Sequence, residues 1–251
     1  MLEIDAKSIL SQWNFLVNET KTEYAKCYIT DKTEKDENDQ PVLNNEPWRS
    51  SKSLGSLLCT EKDIVSRCSK GEVAFRKFEK VWITGNKKIS LDRKLHLYEA
   101  QVVSVMMYNS NSWSPSKAAL KKLDVTHRRH LRKILNIRWP KGQISNKTLY
   151  NRCKVKKLSE RVAEQRWRMF GHILRSDENT PAHQALTFAV ETNHYFHGRT
   201  GRPRCNLFSL LEKDLLDRNF YISNFEELNE IRDMARCRKC WKNLSEHRLQ
   251  F

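Results

Sequence analysis

With 251 residues the chain is long enough for one large domain or two small ones. Seven Gly and six Pro are too few for collagen, solenoid spacers or long flexible linkers. Forty-six Lys and Arg against 30 Asp and Glu leave a net charge of +16, which calls for a polyanionic partner, nucleic acid before anionic membrane. Glu3, Asp5 and Lys7 interrupt the opening where a secretory signal needs an apolar stretch, and the apolar run Ala100–Ser116 carries too much Gln, Asn and Ser to cross a bilayer. The seven cysteines (Cys27, Cys59, Cys68, Cys153, Cys205, Cys237 and Cys240) are odd in number and scattered. They suit reduced thiols of an intracellular protein of the cytoplasm or nucleus better than a disulfide framework.

In chain order, residues 2–13 read as a short helix on Ile4, Ile9, Leu10 and Trp13. Asn14–Val17 and Thr22–Thr30 read as short strands, Asp31–Gln40 as a polar loop, and Leu54–Cys59 as another extended segment. From Glu61 the period becomes helical, through Ile64, Cys68, Phe75, Phe78 and Trp82, with a break expected near Gly71 and a stop at Gly85. Leu91 to Met106 gives a strong helix ending before Pro115. Leu120 to Ile134 gives another, which Trp139-Pro140-Lys141-Gly142 is expected to stop. Ser145 or Asn146 can cap a short helix through Arg152, and a turn leads to a longer one over about 157–175. A helix at 206–218 and a last one from Asn224, with Glu227 completing a capping box, to about Leu244 complete the chain.

Charge is distributed unevenly. Residues 1–48 hold 5 Lys, no Arg and 10 acids, whereas residues 115–175 hold 9 Lys and 9 Arg against Asp124, Glu160 and Glu164. So much positive charge in an amphipathic stretch marks a folded surface for a phosphate backbone. The residues expected to bind nucleic acid are Lys121, Lys122, Arg128, Arg129, Arg132, Lys133, Lys154, Lys156, Lys157, Arg161, Arg166 and Arg168. Arg199, Arg202 and Arg204 of the Gly/Pro-punctuated loop Gly198–Arg204 join them. The short helix, turn and basic helix of 145–175 also have the outline of a helix-turn-helix, although any αα-hairpin shows that pattern. Tyr108, Trp113 and Trp139 could stack on bases, but near helix ends they read better as core anchors. His127 reads as a core-edge position and His130 as a surface one.

No catalytic constellation stands out. The Gly-rich phosphate loop, GxSxG and HExxH are all missing, and none of the adjacent acid pairs follows a strand-like apolar run. Cys237-x-x-Cys240 with His247 and Cys205 has the makings of a zinc site, but the spacing fits no common module and the pair falls on a helix, so the cysteines read as buried or surface thiols and no metal is expected.

Three stretches carry a resemblance. Asn14-Phe15-Leu16-Val17-Asn18 with Lys21-Thr22-Glu23 resembles the segment that follows the catalytic Tyr-x-Asp-Asp hairpin in reverse transcriptases of non-LTR (LINE-type) retrotransposons. Lys52-Ser53-Leu54-Gly55-Ser56, then Asp63-Ile64 and Ala74-Phe75, resembles their primer-grip region running into the thumb, with Ser53 in place of the usual Tyr. Trp167 to Arg175 and Gly198 to Arg204 resemble the Arg-rich, Gly-His and Gly-Arg-Pro elements behind the thumb; further on, Cys237 stands where an acid is common.

The resemblance implies a mainly α fold: a palm remnant of α+β character over 1–58, a helical thumb over 59–140 and a basic helical post-thumb region over 141–251. It implies a fragment of an RNA-directed DNA polymerase that retains duplex-binding helices. The partner is RNA–DNA hybrid or duplex DNA held by its phosphates, with no membrane, no small-molecule substrate and no cofactor beyond the Mg²⁺ of an intact polymerase. The alternatives are a stand-alone helix-turn-helix protein and a decayed reading frame. The Tyr-x-Asp-Asp pair would lie just before Met1. Without two carboxylates to seat the catalytic metals, the 251-residue chain is expected to incorporate no dNTP on a primed RNA template above a no-protein control.

Overall fold

The computed structural model describes residues 8–16, 52–84, 88–138, 142–192, 207–222 and 225–246, and these are mainly helical. The strand expected at Thr22–Thr30, the loop Asp31–Gln40, the stop at Gly85, Trp139 and the Gly198–Arg204 loop lie outside them. The chain divides into two compact units, 1–62 and 63–251.

In the first unit, helix α1 (8–12) ends on Asn14, which adopts the left-handed conformation at φ 59°. The N–H groups of Asn14 and Phe15 turn back onto the carbonyls of Ser11 and Leu10, the paired closure of a Schellman stop. Residues 14–16 are therefore a helix terminus, not the start of the expected strand. Further on, β1 (Lys52–Ser53) and β2 (Ser56–Leu57) form an antiparallel hairpin, Lys52 opposite Leu57 and Ser53 opposite Ser56. Its two-residue turn, Leu54-Gly55, has positive φ at both positions, 48° and 82°, as a type I′ turn requires.

Helix α2 (Thr60–Lys77) runs on unbroken through Gly71. A break there was expected, but Gly71 is buried and leaves room for Met106, whose side chain a Cβ would strike. The interruption comes at Phe78, before the short α3 (Glu79–Ile83). Buried Lys94 donates from Nζ to the carbonyls of Trp82 and Thr84 at the end of α3, where unpaired C=O groups and the helix dipole favour a cation. Helix α4 (Leu91–Tyr98), capped by Ser90 at the Arg93 N–H, continues through a π-helical turn (Glu99–Val103) into α5 (Ser104–Met106).

Helix α6 (Lys117–Ile134) is capped by Ser116, whose Oγ accepts from the Ala119 N–H. It stops at Leu135 because Asn136 takes φ 54° while the N–H groups of Asn136 and Ile137 return to Lys133 and Arg132. The stop thus comes ahead of the Trp139-Pro140 segment. Lys154, at φ 53°, ends α7 (Asn146–Cys153) in the same way, and Ser145 caps its start. Helix α8 (Leu158–Arg175) begins on Lys157, which supplies no side-chain cap. Asp124 of α6 supplies one instead, accepting from the Ser159 N–H at 3.0 Å and its hydroxyl at 2.7 Å. Helix α9 (Pro181–Thr192), absent from the expectations, begins directly on a proline, whose fixed φ suits a first helical turn. Then follow α10 (Leu207–Leu216), α11 (Phe225–Arg236) and α12 (Arg238–Glu246); the last two replace a single expected helix and part at Cys237.

The second unit holds two hydrophobic cores. The first gathers Ile64, Phe75, Trp82, Tyr98, Val102, Leu123, Leu131, Leu149, Leu158 and Val162, so the helices from Ile64 to Ile134 share it with α7 and the start of α8. The second gathers Trp167, Phe170, Leu174, Leu215, Leu228, Ile231 and Trp241. Trp167 and Trp241 stack at 4.2 Å with 3° between planes, and each indole N–H donates to the other's carbonyl at 3.0 Å. Gly171 makes this approach possible, because a Cβ there would overlap the Trp241 indole nitrogen. A Gly171→Ala chain is therefore expected to lose roughly 1–3 kcal/mol through overpacking, more than the ~1 kcal/mol that alanine gains as a helix former. A lower urea midpoint together with a weakened near-ultraviolet dichroism from the stacked indoles checks this.

Candidate nucleic-acid interface

Eighteen residues of α6 place every buried side chain on one side: Ala119, Leu123, Asp124, Thr126, His127, His130, Leu131 and Ile134. At 3.6 residues per turn the opposite side carries Lys117, Lys121, Lys122, Arg128, Arg129, Arg132 and Lys133, with only Ala118 and Val125 between them. Arg128 and Arg132 are half-buried and the other five cations are exposed. The only acid in the helix, Asp124, points inward to cap α8, so nothing on the outer face of α6 itself offsets seven positive charges.

The two edges of this face differ. Along one, Glu72 of α2 draws in Arg129 at 2.9 Å and Lys133 at 3.9 Å, and on its own helix Arg76 at 3.5 Å. Along the other, Lys117, Lys121, Arg128 and Arg132 have no acidic partner among the described residues. Arg132 donates instead to the neutral Asn146 amide on α7 at 2.8 Å. Exposed Lys147, Arg152 and Lys154 of α7 and its C-terminal turn add to the positive charge.

Behind the face lies a buried ring cluster. His130, fully buried rather than on the surface as expected, stacks on Phe75 at 4.2 Å. Its Nε2 lies 2.8 Å from Glu72 and its Nδ1 3.2 Å from the Tyr98 hydroxyl. Burial holds the imidazole below its ordinary pKa although Glu72 pulls the other way. The neutral ring thus donates from Nε2 to the carboxylate and accepts from Tyr98. Burial alone would raise the Glu72 carboxyl, but the hydrogen bond from His130 and the charges of Arg129 and Lys133 outweigh it and hold the group below the usual range. Burial first, then the nearby charges of Arg161 and Arg128, push His127 down to about 3, and its Nδ1 is buried with no hydrogen-bond partner among the described residues.

The expected site residues thus fall into distinct settings. Lys121, Lys122, Arg128, Arg129, Arg132 and Lys133 share the outer face of α6. Lys154, Lys156, Lys157 and Arg168 are exposed, but Lys156 pairs with Glu164 at 2.6 Å and Lys157 with Glu160 at 3.1 Å. Arg161 is held by Glu99. Arg166 corrects the expectation: it is 5% exposed and locked onto buried Asp214 at 2.6 Å, a core ion pair with no reach to a phosphate. Arg199, Arg202 and Arg204 lie outside the described residues. Lys117, one turn before Lys121 at i, i+4 spacing, was missed although the helical period places it on the same edge.

Cys237 and Cys240 are paired as a disulfide, which overturns their reading as free thiols, while Cys59, Cys68 and Cys153 are free. Among the described residues no three His, Cys, Asp or Glu side chains gather to hold a metal, and no helix is long and apolar enough to cross a membrane. Trp113 is an anchor, buried and donating to Asp63 at 3.0 Å; Tyr108 is half exposed with the Arg67 guanidinium over its ring. Comparison with protein-family models, curated proteins and solved structures finds no match to this chain.

The ring cluster makes stability pH-dependent. Between about 6.5 and about 3, His127 takes up a proton in the unfolded chain but not in the folded one. Stability is therefore fully present above about 6.5 and falls as the pH drops, by about 1.4 kcal/mol per pH unit for one proton. Urea midpoints at pH 7, 5.5 and 4.5 should fall in that order. The fall should be shallower in His127→Phe, which keeps a ring beside Tyr98 and removes the protonation site.

Proposed function

We propose that the chain is part of an RNA-directed DNA polymerase of a non-LTR retrotransposon and that its α6 face binds the phosphate backbone of RNA–DNA hybrid or duplex DNA. The observation that carries the binding reading is the seven-cation face of α6 with its only acid turned inward. Lys and Arg on one helix face release counterions from a duplex without reading base edges. The polymerase part rests on the Asn14–Glu23, Lys52–Phe75, Trp167–Arg175 and Gly198–Arg204 resemblances.

The competing helix-turn-helix reading needs α8 free to enter a major groove. Helix α8 instead buries Leu158, Val162, Trp167, Phe170 and Leu174 in two cores, and its outward cations Arg161 and Arg168 stand among Glu160 and Glu164. That placement favours backbone contact through α6 over base readout through α8.

Affinity for random-sequence duplex should fall steeply with salt, by roughly 0.9 in log K per log salt for each phosphate neutralised. Changing Arg128, Arg129, Arg132 and Lys133 together to Gln should flatten that slope by about two to four units. Changing the acid-paired Lys156 and Lys157 to Gln should move it much less. A slope near zero for the unmodified chain, or a strong preferred sequence lost on changing residues 157–168, would overturn the reading.

A further inference from the structure

At the C-terminal end of α6 a groove of about 310 Å³ opens between α3 and the turn that follows the helix. Its position follows from the Asn136 stop. Because the Ile137 N–H returns to Arg132 at 2.9 Å, the chain folds back over the last turn, and the Ile137 side chain packs against the first core. Ile137 and Ile83 then line the groove together with Trp82, a residue only 2% exposed that leaves little ring surface to stack on. Two cations, Lys133 and Arg138, are among the lining residues, and Glu79 is the only acid among them. Lys133 also lies 5.7 Å from the Phe75 ring centroid and belongs to the seven-cation face.

This combination has a definite complement: a flat, largely apolar group attached to an anion, with polar edges that a carboxylate can accept from. One nucleotide has that chemistry. Its base would lie between Ile83 and Ile137, an exocyclic amine or sugar hydroxyl would donate to Glu79, and its phosphate would face Lys133 and Arg138. The volume sits at the small end of ligand-binding pockets, enough for one nucleotide and too little for a duplex. Because Lys133 serves both surfaces, a strand whose phosphates follow α6 arrives at the groove with its end.

We propose that the groove between α3 and the end of α6 takes the unpaired terminal nucleotide of a strand bound along α6. The proposal rests on the backbone-binding reading of that helix. It adds a distinction between blunt and overhanging ends that a cationic helix face alone does not make.

The test compares a blunt 16-base-pair duplex with the same duplex carrying one unpaired terminal 2-aminopurine nucleotide, titrated with the full chain at three salt concentrations. The overhang is expected to tighten binding about tenfold, within the range of one base contact, and to change 2-aminopurine emission on binding. An abasic overhang should lose most of that gain. Ile83→Asp, at a 64% exposed position, and Arg138→Gln should each abolish the preference while leaving blunt-duplex affinity and melting temperature close to those of the parent chain. Equal affinity for blunt and overhanging duplexes, with a steep salt slope retained, overturns the groove proposal and leaves the α6 reading standing. Salt-insensitive binding to both removes both. Uptake of a free nucleoside monophosphate without any overhang preference also overturns the proposal.

Discussion

Helix α8 lies in both hydrophobic cores of residues 63–251. Its first half places Leu158 and Val162 with the residues of α2 to α7, and its second half places Trp167, Phe170 and Leu174 with those of α9 to α12. A helix with that role cannot spare many positions for solvent, and a charge on its buried side must be paired. Arg166 meets Asp214 at 2.6 Å with both side chains almost wholly buried. Removing either partner would strand a buried ion, a far larger loss than the pair itself contributes. Around α8, Arg161 goes to Glu99, Lys156 to Glu164 and Lys157 to Glu160. Two arginines of α8 and the two lysines just before it are thus paired with acids, while Lys147, Arg152, Lys154 and Arg168 stay exposed.

The opposite holds for α6. It touches the first core along one side only, and its single acid does structural duty as the cap that α8 lacks. Placing Asp124 there satisfies one of the unpaired N–H groups of a helix start, that of Ser159, where an anion also meets the favourable end of the dipole. The same placement removes the one side chain that would have neutralised the outer face. Capping of one helix and electrostatic exposure of another are therefore two results of one residue's orientation.

The helical order of the chain was legible from periodicity: 117–134, 146–153 and 158–175 carry apolar positions at three- and four-residue steps. The stops were less so. At Asn14 and Asn136 a non-glycine residue in left-handed conformation ends a helix through two returning N–H groups, and an asparagine in sequence looks the same at a stop as on any exposed face. Gly71 misled in another way, since glycine reads as a breaker when its use here is to admit Met106. Among the charges, spacing identified the face of α6, but nothing local tells Arg166 from Arg168. Arg166 finds its partner 48 positions away, on α10.

The face of α6 is also not uniform, and the cause lies in the ring cluster beneath it. Glu72 is kept ionised by His130, Arg129 and Lys133, so a phosphate approaching Arg129 or Lys133 competes with a carboxylate already in place. Along the other edge, Lys117, Lys121, Arg128 and Arg132 offer their charge with no such competitor among the described residues. Those four extend over 15 helical steps, about 22 Å at 1.5 Å per residue, and Arg132 joins them to α7 through Asn146. A phosphate backbone would therefore settle first on that edge and recruit Arg129 and Lys133 afterwards, because only the second group has a carboxylate to give up.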